Sequence, residues 1–545
     1  MVPSGIGNGV MSDPEMNIAT FLAKSATHYP DHPAIVSGDR TITYREFYRR
    51  ALSIGGELLA RGLRRGDRVA FALHNSPEVL ETVFGCLAAG LVAVPMNARL
   101  HAKEMGYIVR SSGARVFIHG SAFTSQIDQN VDEFDGAVWR FEVGGTADIE
   151  PYDRLLESAT PLEAPVEVTI EDASWLFYTS GTTGRPKGAT WSHRTGRVVV
   201  MNYLADVYNI DHDDVVLHAA PLSHGSGIVA LPTIARGATN VILDALSFSP
   251  ELLFDTVAQH KVSHIAFLAP TQIVAILDKY DPKRFDLSTV KAVCYGGAPI
   301  YLEHLKAAVE TFGPIFAQIY GQGEAPITVT GLNREMHARF AATDDPRLGS
   351  AGIARTDVEV RVVDAEGAPV EPGEAGEIIV RGDVVMREYW NNPEATAEAL
   401  RDGWLYTGDV GTFDDQGYLY LLDRTKDMVV SGGNNVYPRE VEEVLITHPA
   451  VASVVVFGIP DEYWGEAVHA VVVTESGHEV TAEELIRFCG ENLAGYKKPK
   501  AVEFVPELPV SAYGKILRRE VRDRYWTGHD RKVGGGARGV ATATP

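Results

Sequence analysis

A run rich in glycine, serine and threonine occupies residues 178–188 and carries a lysine near its end. It follows the apolar segment 173–177, so we expect a loop that leaves the end of a strand. Glycines let the backbone approach phosphate oxygens, hydroxyl groups donate hydrogen bonds, and Lys187 supplies positive charge. The loop is not a Walker A motif, because Lys187 lies between Pro186 and Gly188. The pattern predicts phosphate binding and disfavours a P-loop kinase or GTPase.

Six further short motifs follow along the chain, and most of them combine glycine with polar, aromatic or charged residues. They are Pro221-Leu-Ser-His224, Gly296-Gly-Ala-Pro299, Tyr320-Gly-Gln-Gly-Glu324, Tyr406-Thr-Gly-Asp409, Asp423-Arg-Thr-Lys-Asp427 and Gly514-Lys515. One such motif has little specificity, but the whole series in this order is specific. With the glycine-rich loop, it resembles the acyl-adenylate-forming superfamily of acyl-CoA synthetases, firefly luciferases and nonribosomal adenylation domains. The resemblance extends from about Asn17 to Trp526.

The resemblance implies a binding site for ATP. Tyr320 would present an aromatic face to the adenine, although a buried core tyrosine is the competing interpretation. Asp409 would accept hydrogen bonds from both ribose hydroxyls, and Arg424 would make the second ribose contact. The residues implied in nucleotide binding are Thr179, Ser180, Gly181, Thr182, Thr183, Gly184, Gly296, Gly297, Ala298, Pro299, Tyr320, Gly321, Gln322, Gly323, Asp409 and Arg424.

Three charged residues are implied in catalysis by the same resemblance: Lys515, Glu324 and Lys187. In adenylation a carboxylate attacks the α-phosphorus of ATP, so two anions must meet. The Lys515 ammonium would lie between them and stabilise the transition state. Glu324 would hold Mg²⁺ on the phosphates, because this hard cation prefers carboxylate and phosphate oxygens.

The resemblance also implies a second substrate site and a moving domain. Lys426 would be the hinge about which a small C-terminal domain rotates, first presenting Lys515 and then completing the thioester site. The loop 431–435 would line the path of the pantetheine arm of coenzyme A. The residues implied near the carboxylic acid are His224, Ala269, Gly297 and Gln322; a purely structural role is an equal alternative for His224.

Two positions depart from the superfamily pattern. Gly323 stands where a threonine usually contacts the α-phosphate, and Asn434 stands where glutamate is common. One hydrogen bond to a charged group is worth about 1.5–3 kcal/mol, so Gly323 predicts weaker adenylation unless another donor substitutes.

The fold class that we expect is α/β. Helix-like segments alternate with short apolar runs such as 68–73, 114–118 and 263–268, which is typical of parallel-rich sheets. Short strands separated by turn residues between 358 and 380 predict a small β subdomain. After Asp427 the pattern predicts a small, mobile α+β C-terminal domain.

We divide the chain into a flexible leader at 1–16, an AMP-binding domain at 17–425, a mobile C-terminal domain at 426–527 and a disordered tail at 528–545. The apolar stretch 83–94 is too short to span a membrane and is expected to be a buried helix.

Composition limits the partners. A formal charge of -23 over 545 residues disfavours nonspecific binding to nucleic acid or to an anionic membrane. The cysteines, Cys86, Cys294 and Cys489, lack the spacing of a zinc site or disulfide framework, which favours the cytoplasm. A homodimer is the expectation by resemblance.

Three functions remain open at this point. Segments 458–466 and 495–500 resemble those of CoA ligases, which favours coenzyme A as the acceptor. The nearest alternative is a stand-alone adenylating enzyme, with another thiol acceptor or with only the first half-reaction; an oxygenase that uses the same adenylate belongs to this group. The third is a catalytically quiet adenylate-binding protein, which only Gly323 favours. Fatty, aryl and polycyclic acids are all compatible with the sequence.

Overall fold

The computed structural model describes residues 16–145, 149–179, 185–243, 245, 248–298, 300–424, 427–431, 434–461, 463–510 and 516–526. Its α-helices are α1 (Thr20–His28), α2 (Tyr44–Ala60), α3 (Pro77–Ala88), α4 (Ala102–Ser112), α5 (Thr124–Asp128), α6 (Asp153–Leu156), α7 (His193–Asn202), α8 (Gly225–Ala235), α9 (Pro250–His260), α10 (Pro270–Lys279), α11 (Leu302–Phe312), α12 (Arg334–Ala342), α13 (Pro393–Ala399), α14 (Pro438–Ile446), α15 (Ala482–Asn492) and α16 (Arg518–Asp523).

Its strands alternate with these helices over most of the chain. They are β1 (Pro33–Ser37), β2 (Arg40–Thr43), β3 (Arg68–Ala72), β4 (Val92–Met96), β5 (Val116–Gly120), β6 (Trp139–Val143), β7 (Glu150–Pro151), β8 (Ala173–Thr179), β9 (Lys187–Ser192), β10 (Val215–His218), β11 (Thr239–Ile242), β12 (His264–Leu268), β13 (Ala292–Gly296), β14 (Phe316–Ile319), β15 (Thr330–Gly331), β16 (Ile353–Ala354), β17 (Glu359–Val363), β18 (Gly376–Arg381), β19 (Glu388–Tyr389), β20 (Leu400–Arg401), β21 (Trp404–Phe413), β22 (Leu419–Arg424), β23 (Val429–Ser431), β24 (Asn434–Val436), β25 (Val451–Asp461), β26 (Gly465–Thr474) and β27 (Ala501–Phe504).

Two large sheets form the first part of the fold. One has the strand order β14-β13-β12-β10-β11-β1-β2 and is parallel except for the β1–β2 pair. The other has the order β19-β9-β8-β4-β3-β5-β6-β7 and is parallel except at β8, β9 and β19. Strands buried on both faces need near-continuous apolar runs, which is why β4 and β13 are wholly buried. The predicted α/β class with parallel-rich sheets is confirmed.

The apolar stretch at residues 83–94 is where a local prediction is wrong. Its first half belongs to the buried helix α3, but the helix ends at Ala88 and the stretch continues as strand β4. Gly90, with φ at +65°, makes the turn between them in a conformation that favours glycine. A short apolar run does not distinguish a buried helix from a buried strand, so this glycine is the decisive signal.

A small five-stranded β subdomain follows the large sheets, as the turn-rich sequence between 358 and 380 predicts. Its strand order is β17-β18-β21-β20, and β22 pairs with β21. The turn after β17 is held by the Asp364 carboxylate, which accepts hydrogen bonds from the backbone N–H groups of Glu366 and Ala368.

The C-terminal α+β domain contains a further sheet with the order β24-β23-β26-β25, to which β27 adds in parallel beside β26. Valine side chains of β25 and β26 form its core together with the apolar faces of α14 and α15. Helix α15 begins after Thr481, whose side chain accepts a hydrogen bond from the Glu484 N–H and so caps the helix.

The chain divides into two compact units. The first comprises residues 1–298, 307–360 and 379–407, and the second comprises 299–306, 361–378 and 408–545. Among the described residues, no helix is long and apolar enough to cross a membrane. The predicted domain boundaries stay predictions.

Candidate active site

The carboxyl ends of four neighbouring parallel strands carry predicted site residues. His224 lies beyond β10, Ala269 directly follows β12, Gly297 follows β13 and Tyr320 follows β14. Ligands of parallel α/β sheets bind at this edge, because the connections to the next helices leave a crevice there. The sheet topology therefore brings together four residues that are separated by up to 96 positions in sequence.

The glycine-rich loop connects two antiparallel strands. β8 ends at Thr179 and β9 begins at Lys187, and these two residues are partners in the strand register. The prediction that the loop leaves the end of a strand is confirmed. Its residues Ser180, Gly181, Thr182, Thr183 and Gly184 lie outside the described residues.

The Glu324 carboxylate is held by two hydroxyl groups. Thr179 Oγ1 donates to Glu324 Oε1 over 3.0 Å, and the Tyr389 hydroxyl donates to the same oxygen over 2.7 Å. Glu324 and Tyr389 are each 9% exposed. A buried carboxylate requires such donors, and two bonds on Oε1 fix the direction in which Oε2 points.

Lys187 completes this cluster through the same tyrosine. Its ammonium lies 5.0 Å from the centre of the Tyr389 ring, within the range of a cation–π interaction. Tyr389 is held in strand β19, which pairs with β9 at Ala189. Lys187, Thr179, Glu324 and Tyr389 thus converge in the first unit.

Sequence reasoning missed Tyr389. It lies in the segment Arg387-Glu-Tyr-Trp-Asn391, where nothing in the residue types indicates chemistry. Tyr389 lies shortly before helix α13, which begins with a proline, and this position says nothing about chemistry.

The backbone of Gly323 runs against the β8–β9 pair. The Trp191 indole N–H donates to the Gly323 carbonyl over 2.7 Å. A Cβ atom added to Gly323 would lie 2.2 Å from Thr179 Cγ2 and 2.7 Å from Phe177 Cδ1. Both distances are far below van der Waals contact, so the expected threonine does not fit here. The side chains of Thr179 and Phe177 therefore account for a glycine at position 323.

His224 is the residue before helix α8 and contacts the same region. Its ring meets Phe177 edge-on, with the ring centres 5.0 Å apart, and its Nδ1 lies 3.0 Å from Ser223 Oγ. Burial lowers the pKa of His224 to about 3, so the imidazole is neutral near pH 7. A neutral ring suits packing or hydrogen bonding better than charge stabilisation.

The segment after β14 turns sharply. The side-chain amide of Gln322 donates to the Thr407 carbonyl over 3.0 Å, and a Cβ on Gly321 would lie 2.5 Å from the Ile327 nitrogen. Ile327 itself has φ at +43°, which is strained for a β-branched residue. Tyr320 is 7% exposed, a burial shared by core tyrosines and by those that cover a bound purine, so its role stays a prediction.

Of the Gly296 to Pro299 motif, Gly296 lies opposite Ile319 in the β13–β14 register. Gly297 has φ at +77°, and a Cβ added there would lie 3.2 Å from Phe267 Cζ. Ala298 is half-buried, and Pro299 lies outside the described residues.

The second unit carries the predicted ribose contacts. Asp409 and Arg424 face each other as register partners of β21 and β22, and Arg424 Nε lies 3.1 Å from Asp409 Oδ1. The preceding Gly408, with φ at +69°, donates its N–H to Glu377 Oε1 over 3.0 Å. The structure therefore brings together the two residues that were predicted to bind one ribose.

Arg518 lies in a basic stretch of the sequence, but its side chain is held by two buried carboxylates. Its guanidinium donates to both oxygens of Asp423, at 2.8 and 3.1 Å, and to both oxygens of Glu442, at 2.9 and 3.1 Å. The Arg518 side chain is only 20% exposed. Arg519, by contrast, is exposed and pairs with Asp523. Lys515 and the predicted hinge Lys426 lie outside the described residues.

The predicted pantetheine loop coincides with a hairpin. β23 and β24 are antiparallel, with Ser431 opposite Asn434. Residues 432–433 lie outside the described residues, and the role of this hairpin stays a prediction.

Comparison with known proteins decides the family. A family model described as AMP-binding enzyme matches residues 22–390, and one described as AMP-binding enzyme C-terminal domain matches residues 440–515. The chain belongs to the AMP-binding enzyme family. The resemblance that the sequence motifs indicate is confirmed.

Relatives within the AMP-binding enzyme family cover nearly the whole chain. Feruloyl-CoA synthase of an Amycolatopsis species is 39% identical over 512 residues, which are 93% of this chain and 99% of the relative. Long-chain-fatty-acid–CoA ligase FadD13 of Mycobacterium tuberculosis is 34% identical over 518 residues, 93% of this chain and 98% of the relative. The predicted enzyme class, an AMP-forming acid–thiol ligase, is therefore confirmed.

A solved structure extends the similarity to the fold. Amide bond synthetase McbA from Marinactinospora thermotolerans superposes with a TM-score of 0.85 at 28% identity, covering 94% of this chain and 100% of that one. The use of ATP follows from the family, and the use of coenzyme A is consistent with the named ligases.

Proposed function

We propose that this enzyme joins a carboxylic acid to coenzyme A in two steps, through an acyl-adenylate. The observation that carries the proposal is the cluster of Lys187, Glu324, Thr179 and Tyr389 at the ends of the glycine-rich hairpin. Binding of a nucleoside triphosphate requires a cation near the phosphates and a carboxylate of fixed orientation that can hold Mg²⁺. Lys187 and Glu324 supply these two groups beside the glycine-rich hairpin.

In the first step an oxygen of the acid attacks the α-phosphorus of ATP. A bond forms between the carboxylate oxygen and phosphorus, and the bond from phosphorus to the pyrophosphate oxygen breaks. Lys187 would neutralise charge on the departing pyrophosphate, and Lys515 would stabilise the oxygens around the α-phosphorus. Asp409 and Arg424 would hold the ribose, so that the phosphate chain has a fixed direction.

Magnesium fits the residues at this site. Mg²⁺ is commonly bound by one or two carboxylates together with substrate phosphates, and Glu324 offers one oriented carboxylate. When bound with ATP, the ion would supply positive charge to the pyrophosphate leaving group. Thr179 and Tyr389 keep the carboxylate in one orientation for that purpose.

In the second step the thiol sulfur of coenzyme A attacks the acyl carbonyl. A sulfur–carbon bond forms, the bond from the carbonyl carbon to the AMP oxygen breaks, and the thiol proton leaves. The neutral His224 beside Phe177 offers a packing surface near the acyl group rather than a charge. We propose rotation about Lys426 between the two steps, and we propose the cytoplasm as the compartment because the three cysteines are free and buried.

The test separates the two half-reactions. The purified enzyme is incubated with ATP, Mg²⁺ and a panel of acids that includes ferulic and long-chain fatty acids, the groups named in the relatives. Pyrophosphate release and acyl-CoA formation are measured in parallel. We expect both products with at least one acid, and a loss of about 10²–10³-fold in pyrophosphate release for Lys515→Ala.

Lys283→Ala, an exposed lysine of the first unit, is the matched control and should retain activity. Pyrophosphate without thioester would refute coenzyme A as the acceptor and direct the search to another thiol or an amine. No pyrophosphate with any acid, together with no binding of ATP, would refute the enzyme proposal.

A further inference from the structure

Phe177 lies in strand β8, and its ring contacts Trp191 and His224. One face of its ring stacks on Trp191, with ring centres 5.2 Å apart and planes 12° apart. Trp191 is in turn stacked on Trp175 at 5.6 Å and is anchored to the Gly323 carbonyl. Aromatic rings packed in this way have few alternative rotamers, so the surface that they present is rigid.

The Phe177 ring also adjoins residues that are predicted to bind the acid. Its ring lies edge-on to His224, and Gly225, the next residue, lies beneath Phe267. Phe267 also packs over Gly297, within 3.2 Å of where a Cβ would be. Two phenylalanines and one neutral histidine therefore adjoin the carboxyl ends of β10, β12 and β13.

Gly323 leaves room for the side chains of Phe177 and Thr179. Any side chain there would overlap Phe177 Cδ1 and Thr179 Cγ2. Thr179 cannot rotate away freely, because its hydroxyl group donates to Glu324. The aromatic ring at position 177 and the glycine at position 323 are therefore linked choices.

We propose that Phe177 determines specificity, and that together with His224 and Phe267 it selects an aromatic carboxylic acid over a flexible alkyl acid. The proposal rests on the proposed function. A planar acid packs against aromatic faces and edges without losing internal rotations, whereas an alkyl chain must give up several rotatable bonds to make the same contacts. With glycine at position 323, the chain lacks the threonine hydroxyl group that the superfamily pattern places near the α-phosphate.

The kinetic test uses two acids of nine carbons each, cinnamic acid and nonanoic acid. ATP–pyrophosphate exchange gives kcat/KM for each acid in the wild type, in Phe177→Leu and in the control Phe504→Leu, which alters a partly exposed ring of the second unit. We expect the wild type to favour cinnamic acid by at least about 10-fold. Phe177→Leu should lower this ratio by at least about fivefold, and Phe504→Leu should leave it unchanged. An equal loss for both acids, or an unchanged ratio in Phe177→Leu, overturns the proposal.

Binding and unfolding measurements keep this test independent of turnover. Calorimetry gives the affinity of each acid, and equal affinities for the two acids overturn the proposal even if no adenylate forms. Absence of adenylate from both acids and from every other acid of the panel, together with no binding of ATP, would refute the proposed function instead. For the packing, Gly323→Ala should lower the urea midpoint, and the loss should be smaller in the Phe177→Leu background. An equal loss in both backgrounds would show that positions 177 and 323 are not linked. Gly495→Ala, where a Cβ meets open space, is the control.

Discussion

At the scale of single residues, the proposed adenylation depends on the orientation of Glu324. Its buried carboxylate receives two hydroxyl donors on one oxygen, and the ring of one donor, Tyr389, also contacts Lys187. In the proposed reaction Tyr389 is a positioning residue, because it would act through these two charged neighbours.

Tyr389→Phe removes the hydroxyl and keeps the ring beneath Lys187. Loss of a hydrogen bond to a charged group corresponds to about 1.5–3 kcal/mol, and we expect adenylation to slow by about 10-fold or more. Because Glu324 loses one of its two donors, the Mg²⁺ concentration that gives half-maximal rate should rise. Titration of pyrophosphate release with Mg²⁺ measures both quantities, with Tyr463→Phe, an 83% exposed tyrosine, as control. A slower rate with an unchanged Mg²⁺ dependence would assign Tyr389 a structural role only.

The sequence motifs predicted the charged residues of the site and their grouping. Asp409 and Arg424 are 15 positions apart, and the structure pairs them across two strands. Tyr389 could not be predicted, because its contacts depend on the pairing of β19 with β9, in which Tyr389 lies opposite Ala189, 200 positions earlier in the sequence. That Gly323 departs from the superfamily pattern stays a prediction. The cause of a glycine at this position, the overlap with Thr179 and Phe177, requires three-dimensional distances.

At the scale of elements, the connection between strand β22 and helix α16 depends on Arg518. This side chain binds Asp423 at the end of β22 and Glu442 in α14 through four hydrogen bonds. Burial raises the pKa of Glu442, and the charge of Arg518 opposes that rise. The two carboxylates are 6% and 8% exposed, so both require this cation. Position 518 lies three residues after the predicted catalytic lysine, and Asp423 lies three residues before the predicted hinge.

Arg518→Met leaves two buried carboxylates without their cation. Removal of one partner of a buried ion pair costs about 3–5 kcal/mol. In the variant burial still raises the pKa of Glu442 and the charge of Arg518 no longer opposes that rise, so the folded state binds more protons than the unfolded state. Its stability should therefore fall as pH rises. Urea unfolding at pH 5 and pH 8 should show a larger loss at pH 8. Arg519→Met, the exposed neighbour, should lose little at either pH, and an equally small loss for Arg518→Met would contradict the account.

The helix and strand types of the C-terminal domain followed from the sequence because its signals are local. Thr481 is a favourable N-cap residue for α15, and the valine-rich apolar run that begins at Val451 favours strand β25. The stretch 83–94 failed for the opposite reason, since apolar content alone does not separate α3 from β4. The burial of Arg518 also could not be predicted, because its partners lie 95 and 76 positions away.

At the scale of the whole molecule, neutral buried histidines connect stability to pH. His218 is fully buried between Ser226 Oγ at 2.9 Å and Asn240 Oδ1 at 3.0 Å, and burial lowers its pKa to about 4. Burial likewise lowers the pKa of His193 to about 3 and of His337 to about 4. All three lie in the first unit.

These depressed pKa values predict acid sensitivity of the first unit. Between about pH 6.5 and pH 4 the unfolded chain binds protons that the folded chain does not, so the free energy of unfolding falls as pH falls. Each histidine contributes up to about 1.4 kcal/mol per pH unit in that window. His218→Gln should reduce the slope by this amount in urea unfolding, while the exposed His478→Gln is the control. A slope that His218→Gln leaves unaltered would contradict the assignment of a neutral, buried ring.

The order of the two chemical steps is the central claim, and one single-turnover experiment tests it most directly. Enzyme in excess over ATP labelled at the α-phosphate is mixed with an accepted acid and quenched at successive times, first without coenzyme A. The account predicts that labelled acyl-adenylate accumulates without the thiol and that adding coenzyme A converts it to AMP and acyl-CoA in equal amounts. Two results would contradict this order of steps. One is the formation of labelled ADP together with acyl-CoA. The other is the absence of adenylate before coenzyme A is added, followed by the formation of acyl-CoA after its addition.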